Sequence, residues 1–185
     1  EDIVTSREAL SSMMKGNRER LWGVVAPAAA DLSDLGLPQT RLLEDDPEPY
    51  EECASVLLIG TGDWTDERQD LLEKALQRQS KPVFVANPDI VAPRETGFSV
   101  EPGHIAHRLA DIADIEPEFY GKPFANIFDL VFERLGDVNR SRVVMVGDSL
   151  HTDILGARAY GLASALIPGF GFFAGRNADQ AIERT

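Results

Sequence analysis

Two acids at a fixed spacing dominate the chemistry available to this sequence. The run Val143-Val144-Met145-Val146-Gly147-Asp148-Ser149-Leu150-His151-Thr152-Asp153-Ile154-Leu155-Gly156-Ala157 leads an apolar stretch straight into Gly-Asp, then places Asp153 where a helical pattern begins. If the apolar stretch is a strand of an open parallel sheet, Asp148 stands at its carboxyl end, where such sheets bind ligands. Asp153 then falls in the first helical turn, on the same rim. Two carboxylates there suit a hard cation such as Mg²⁺, which takes oxygen ligands and keeps several waters. The neighbouring helix amides suit a phosphate. A plainer reading also exists, because Asp and Thr-Asp at a strand-to-helix junction are ordinary capping residues. Gly147 before the first acid and Gly156-Ala157 after the second favour the ligand-binding reading.

Tyr120-Gly121-Lys122-Pro123 is the second feature. Gly gives turn freedom and Pro fixes the backbone that follows. A lysine held between them, ahead of an amphipathic segment, is a fixed point charge rather than a waving surface cation. Its natural partners are a phosphate oxygen and a neighbouring carboxylate.

Short apolar runs must position these groups. Leu21–Ala26, Val56–Ile59, Pro82–Ala86, Arg142–Val146 and Ala163–Ile167 have the length and composition of buried strands. Between them, Asp66–Arg78 places Leu71, Leu72, Ala75 and Leu76 on one helical face, with Thr65 as N-cap. Phe124–Leu135 does the same with Ile127, Phe128, Val131, Phe132 and Leu135, and Gly136 stops it. Thr152–Tyr160 and Ser6–Met14 are further helices. Alternation of this kind predicts an α/β fold with a largely parallel sheet. The acidic run Glu44–Glu52 reads as a solvated loop. Asn87–Gly103, with Pro88, Pro93, Gly97 and Pro102, reads as a long irregular loop of the functional sort. A domain junction is expected between about Gly103 and Gly121.

Composition narrows the partners. Eighteen basic residues against 31 acidic ones give a formal net charge of −13, which disfavours nucleic acid and anionic membranes. It does not disfavour a small anionic substrate held with a metal ion. The single cysteine, Cys53, excludes an intrachain disulfide and points to a reducing, cytoplasmic setting. Cys53 reads as an inert buried thiol. No apolar run reaches membrane-helix length, and the first residues lack signal-peptide character.

Gly121-Lys122-Pro123, a helix, and then Val146-Gly147-Asp148-Ser149-Leu150-x-Thr152-Asp153-Ile154-x-Gly156-Ala157 together resemble the later motifs of the haloacid dehalogenase (HAD) superfamily. Ala86-Asn87-Pro88-Asp89 upstream resembles its NagD-type branch of sugar-phosphate and nitrophenyl-phosphate phosphatases, and Asp2-Ile3-Val4-Thr5-Ser6 resembles the entry into that branch's large α/β cap. The resemblance implies a Rossmann-like parallel-sheet core, of which residues 106–185 would be the C-terminal half. Residues 1–105 would be mostly cap. It implies that Asp148 binds Mg²⁺ directly, that Asp153 supports it through water or the second layer, and that Lys122 orients nucleophile and phosphate. Gly147, Ser149 and Thr152 would shape the metal and phosphate loop, and Asn87, Pro88 and Asp89 would touch substrate. The implied activity is hydrolysis of a small phosphomonoester through an aspartyl-phosphate.

The family's nucleophile lies in an Asp-x-Asp pattern, and none occurs here. Asp111-Ile112-Ala113-Asp114 and Asp45-Asp46 have the wrong spacing. Metal and lysine can stabilise charge but cannot form the covalent intermediate. The expectation is a C-terminal portion of a longer phosphatase, with a catalytically inactive binding or interaction module as the alternative. A doubly wound nucleotide binder would need a Gly-rich phosphate loop after an early strand, which is missing.

Other residues carry weaker signals. His104 and His107 lie three apart on a potential helix, without a third metal ligand at a recognisable spacing, and read as surface histidines. His151 sits in the acidic loop. Trp22 and Trp64 read as packing residues. Phe170, Phe172 and Phe173 alternate with glycines after the last strand and suggest a homodimer contact.

Overall fold

The computed structural model describes residues 3–14, 20–37, 39–169 and 171–175. Strands β1 (Trp22–Val25), β2 (Thr40–Leu42), β3 (Ser55–Leu58), β4 (Val83–Val85) and β7 (Glu118–Phe119) form one sheet in the order β2-β1-β3-β4-β7. Every pairing in it is parallel, with Val24 opposite Leu57 and Leu58 opposite Val85. All residues of β1, β3 and β4 are buried. That is what a parallel sheet covered on both faces requires, and why these strands read as unbroken apolar runs.

Alternate side chains feed two cores. Val56, Leu58, Val83 and Val85 pack with Leu72 and Leu76 of α3 (Asp66–Arg78) and with Ile105 and Leu109 of α4 (Pro102–Ala113). Trp22, Val24, Leu57 and Phe84 point the other way, onto Leu10 and Met14 of α1 (Ser6–Met14). Thr65 caps α3 as expected, its side chain accepting the Arg68 N–H.

A smaller layer follows. Helix α5 (Ala125–Leu135) and helix α6 (Leu155–Ala159) accompany the parallel pair β8 (Val144–Gly147) and β9 (Ala163–Leu166). Ile127, Phe128, Ala157 and Leu162 form its core with Ala9 of α1. One face of this pair stays open: Val144 and Val146 are 53% and 51% exposed, and Ala163 and Ala165 beside them are exposed too. An apolar cleft of about 560 Å³ runs alongside, lined by Val4, Phe128, Phe132, Val143 and Met145 among others.

Two expectations are corrected. Asn87–Gly103 is not irregular: β5 (Val91–Arg94) and β6 (Gly97–Val100) make an antiparallel hairpin within it. Its prolines hid the strands, yet a two-stranded ribbon tolerates Pro93 because no third strand needs its missing N–H. The acidic run contains helix α2 (Glu48–Glu52), which exists because Tyr50 is 1% exposed and anchors it to the core. The stretch between about Gly103 and Gly121, where a domain junction is expected, holds most of α4 and β7, the edge strand of the five-stranded sheet. Pro102 opens α4, since Pro is favoured in the first helical turn. Among the described residues no helix is long and apolar enough to cross a membrane.

Candidate active site

β4 and β7 present their carboxyl ends on one rim of the main sheet, and the separate β8–β9 pair brings Asp148 to the same cavity. The turn Tyr120-Gly121-Lys122-Pro123 leaves β7, Asn87-Pro88-Asp89 leaves β4, and Asp148 leaves β8. Gly121 has φ +119°, a conformation that side chains resist. Asn126 clamps this turn from both sides: its Oδ1 accepts the Gly121 N–H at 2.9 Å and its Nδ2 donates to the Phe119 carbonyl at 2.7 Å. Nothing in the spacing flagged Asn126, since a single amide on a helix carries no pattern.

Asp153 lies in a π-helical turn, Leu150–Ile154, directly ahead of α6. It is 2% exposed. Its Oδ2 accepts the N–H groups of Asp148 and Ser149 at 3.1 and 3.2 Å, and its Oδ1 takes Lys122 Nζ at 2.5 Å. Both oxygens are therefore committed to organising the loop. Gly147 is required beside it, because a Cβ there would run into the Asp153 carboxylate.

Asp148 is different. Its carboxylate takes no hydrogen bond or ion pair among the described residues, while its own N–H is held by Asp153. It lines a cavity of about 120 Å³ shared with Lys122, Ser149, Thr152 and Asp153 and with Asp89 and Val91–Pro93. Ser149 Oγ is buried without a hydrogen-bond partner among the described residues, although it lines this cavity. A buried hydroxyl left unpaired is costly unless a ligand or water completes it. The backbone of Gly171 lies against the Asp148 carboxylate, a contact no motif announced.

The donor chemistry, carboxylate and hydroxyl oxygen, fits a hard cation and a phosphate. The donor number is short: among the described residues no three His, Cys, Asp or Glu side chains group to hold a metal ion. Asp148 is the one carboxylate of the pair free to ligate. Of the residues named for substrate, Asp89 lines the cavity, Pro88 is buried behind it, and Asn87 serves as a brace. Burial raises the Asp89 pKa above the usual carboxylate value, partly offset by Lys122.

A sequence profile of the HAD-hydrolase-like family matches residues 119–181, which contain Lys122, Asp148 and Asp153. The D-glycerol 3-phosphate phosphatase of Mycobacterium tuberculosis is 31% identical over 173 residues, 90% of this chain and 46% of that protein. The chain belongs to the HAD superfamily. An acid sugar phosphatase of Staphylococcus epidermidis is 38% identical to this HAD chain over 92 residues, 49% of the chain and 34% of that protein. The crystal structure of a possible sugar phosphatase of the HAD superfamily from Cytophaga hutchinsonii shares the fold with a TM-score of 0.78. It covers 98% of this chain and 66% of that one at 22% identity. The HAD chain thus spans less than half the length of the two relatives matched in sequence.

Among the described residues, none of the remaining candidates lines the cavity of the HAD site, although His151 acts electrostatically on Asp89. His107 stacks on Phe119 with ring centroids 5.2 Å apart, and His104 is exposed on the same helix. His151 is exposed in the π-helical turn. Trp22 is fully buried against Phe84, and Trp64 Nε1 donates to Gln69 Oε1 at 2.9 Å. Cys53 is buried, and burial raises its pKa. The sequence showed no basic neighbour for it, but Lys81 Nζ lies 4.0 Å away, donating to the Tyr50 and Glu51 carbonyls. Phe170 and the side chain of Phe172 lie outside the described residues, so the expected dimer contact falls mostly there.

Proposed function

We infer that this chain supplies the metal- and phosphate-handling part of a HAD phosphatase that hydrolyses a small phosphomonoester. The observation that carries the reading is the convergence of Lys122, Asp148 and Asp153 on one cavity, with Asp153 spent on structure and Asp148 left free. The names of the relatives, a D-glycerol 3-phosphate phosphatase and an acid sugar phosphatase, support a polyol- or sugar-phosphate substrate. A nitrophenyl phosphate would serve as an artificial one.

Asp148 would hold Mg²⁺, with Ser149 and Thr152 lining the same side of the cavity. The cation, when bound, neutralises charge on the transferring phosphoryl group. Lys122 would bring a second positive charge to a phosphate oxygen, aimed by Asp153. Gly147 lets the loop close on Asp153. The aspartate that would attack phosphorus, forming an aspartyl-phosphate later opened by water, is not among these residues and would come from outside them. The five-stranded unit would act as the cap, with Asn87, Pro88 and Asp89 on the substrate side, and the setting would be cytoplasmic.

Hydrolysis of 4-nitrophenyl phosphate and glycerol 3-phosphate by the whole protein, with and without Mg²⁺, tests this. Mg²⁺-dependent turnover that Asp148→Asn removes is expected, and unchanged turnover in that variant would overturn the assignment. The lack of an Asp-x-Asp pattern in these 185 residues favours one competing reading, an inactive module that binds Mg²⁺ and phosphate without turnover.

A further inference from the structure

Asp89 and the hairpin behind it are tied together by a carboxylate that the motifs did not single out. Glu101 has an 8% exposed side chain at the foot of the hairpin. Its Oε1 accepts Ser99 Oγ at 2.5 Å and Arg94 Nη2 at 2.7 Å, and its Oε2 accepts Asn87 Nδ2 at 3.1 Å. Its main-chain N–H donates to the Ile90 carbonyl at 3.0 Å. Asn87 then passes the constraint on, its Oδ1 accepting the Asp89 N–H at 3.2 Å. One side-chain amide thus bridges Glu101 to Asp89. A buried charge with this many partners fixes geometry more than it adds stability.

The Asp89 carboxylate itself takes no hydrogen bond among the described residues, yet it lines the same cavity as Asp148, with Lys122 near enough to act on it electrostatically. A carboxylate offers only acceptors. It repels a phosphate dianion, so where it meets the substrate it meets a part other than the phosphate. A hydroxyl of a polyol phosphate satisfies such an acceptor, and an aryl phosphate has none to offer.

We propose that Glu101 is a positioning residue that sets substrate selectivity: through Asn87 it holds Asp89 to accept a hydroxyl of the substrate, favouring polyol phosphates over aryl phosphates. This rests on the phosphatase reading above. A site built to bond a hydroxyl discriminates strongly against an analogue lacking it.

Steady-state kinetics on glycerol 3-phosphate and 4-nitrophenyl phosphate, for the wild type, Glu101→Ala and Glu101→Gln, decide it. Glu101→Ala should raise KM for glycerol 3-phosphate about tenfold, the size of one lost hydrogen bond to a charged group. KM for 4-nitrophenyl phosphate should move far less, and kcat less than KM. Glu101→Gln should recover part of the loss, because glutamine keeps an acceptor for Asn87. An equal rise in KM for both substrates, or a loss confined to kcat, would overturn the proposal. If the wild type turns over neither compound, the phosphatase reading fails separately. The selectivity claim is then decided by amide chemical shifts during titration. Glycerol 3-phosphate should shift Asp89 in the wild type beyond the effect of inorganic phosphate, and not in Glu101→Ala. No such difference overturns it.

Discussion

Lys122 Nζ lies 2.5 Å from Asp153 Oδ1, joining residues 31 positions apart across two layers of the fold. The acid in this pair is 2% exposed, the lysine side chain 44%. The asymmetry assigns their jobs: the buried partner is structural, and the half-exposed one is available to a ligand.

Asp153→Ala should therefore destabilise the fold by about 3 kcal/mol, mostly by leaving the Asp148 and Ser149 N–H groups without an acceptor. Lys122→Met should cost less, about 1–2 kcal/mol, because the Asp148 and Ser149 N–H groups still hold the buried Asp153 carboxylate and the lysine is half-exposed. Urea unfolding midpoints of the two variants compare them directly.

Asp148→Asn should behave in the opposite manner. Its carboxylate takes no hydrogen bond or ion pair among the described residues, and asparagine keeps its shape against Gly171, so stability should stay within about 0.5 kcal/mol of wild type. Phosphatase turnover should fall at least about 100-fold, the scale of losing one charge-stabilising group. Thermal denaturation and a 4-nitrophenyl phosphate assay on the same sample would show whether the two effects separate.

Asp89 carries a cost at neutral pH. Burial raises its pKa, so its contribution to stability is fully present below the unfolded value of 3.8 and is lost as pH rises through the folded value. Asp89→Asn should raise the melting temperature at pH 7, and the gain should vanish in acid. A melting temperature that does not depend on pH in the difference between variant and wild type would contradict this.

Alkaline pH should act through the tyrosines. Burial, with the hydrogen bond to Glu118, pushes Tyr120 up to about 12, and burial raises Tyr50 as well. Raised phenol pKa values give stability that is complete below pH 10 and lost as pH climbs through the folded values. Tyr120→Phe should flatten part of the fall between pH 10 and 12, as read by urea midpoints across that range.

Much of the site was readable because its residues carry their own punctuation. Gly-Asp after an apolar strand and Gly-Lys-Pro before a helix are local signals, and the strands of the main sheet read as apolar runs because both faces are covered. What escaped depends on particular partners that follow no sequence period. The hairpin is stabilised by register and by Glu101, not by alternation. Helix α2 exists because Tyr50 finds the core. Asn126 and Lys81 act through backbone carbonyls or amides elsewhere in the chain, a relation with no sequence period.

The open face of β8 and β9 has a colloidal consequence. Among the described residues β8 pairs only with β9, so its far edge and the exposed Val144 and Val146 form an adhesive strip. A net charge of −13 holds copies apart in dilute buffer. Added salt shortens the reach of that repulsion to roughly 8 Å at physiological ionic strength while leaving the strip as apolar as before. For these 185 residues on their own, ionic strength becomes the control on association, and light scattering should climb with sodium chloride rather than fall.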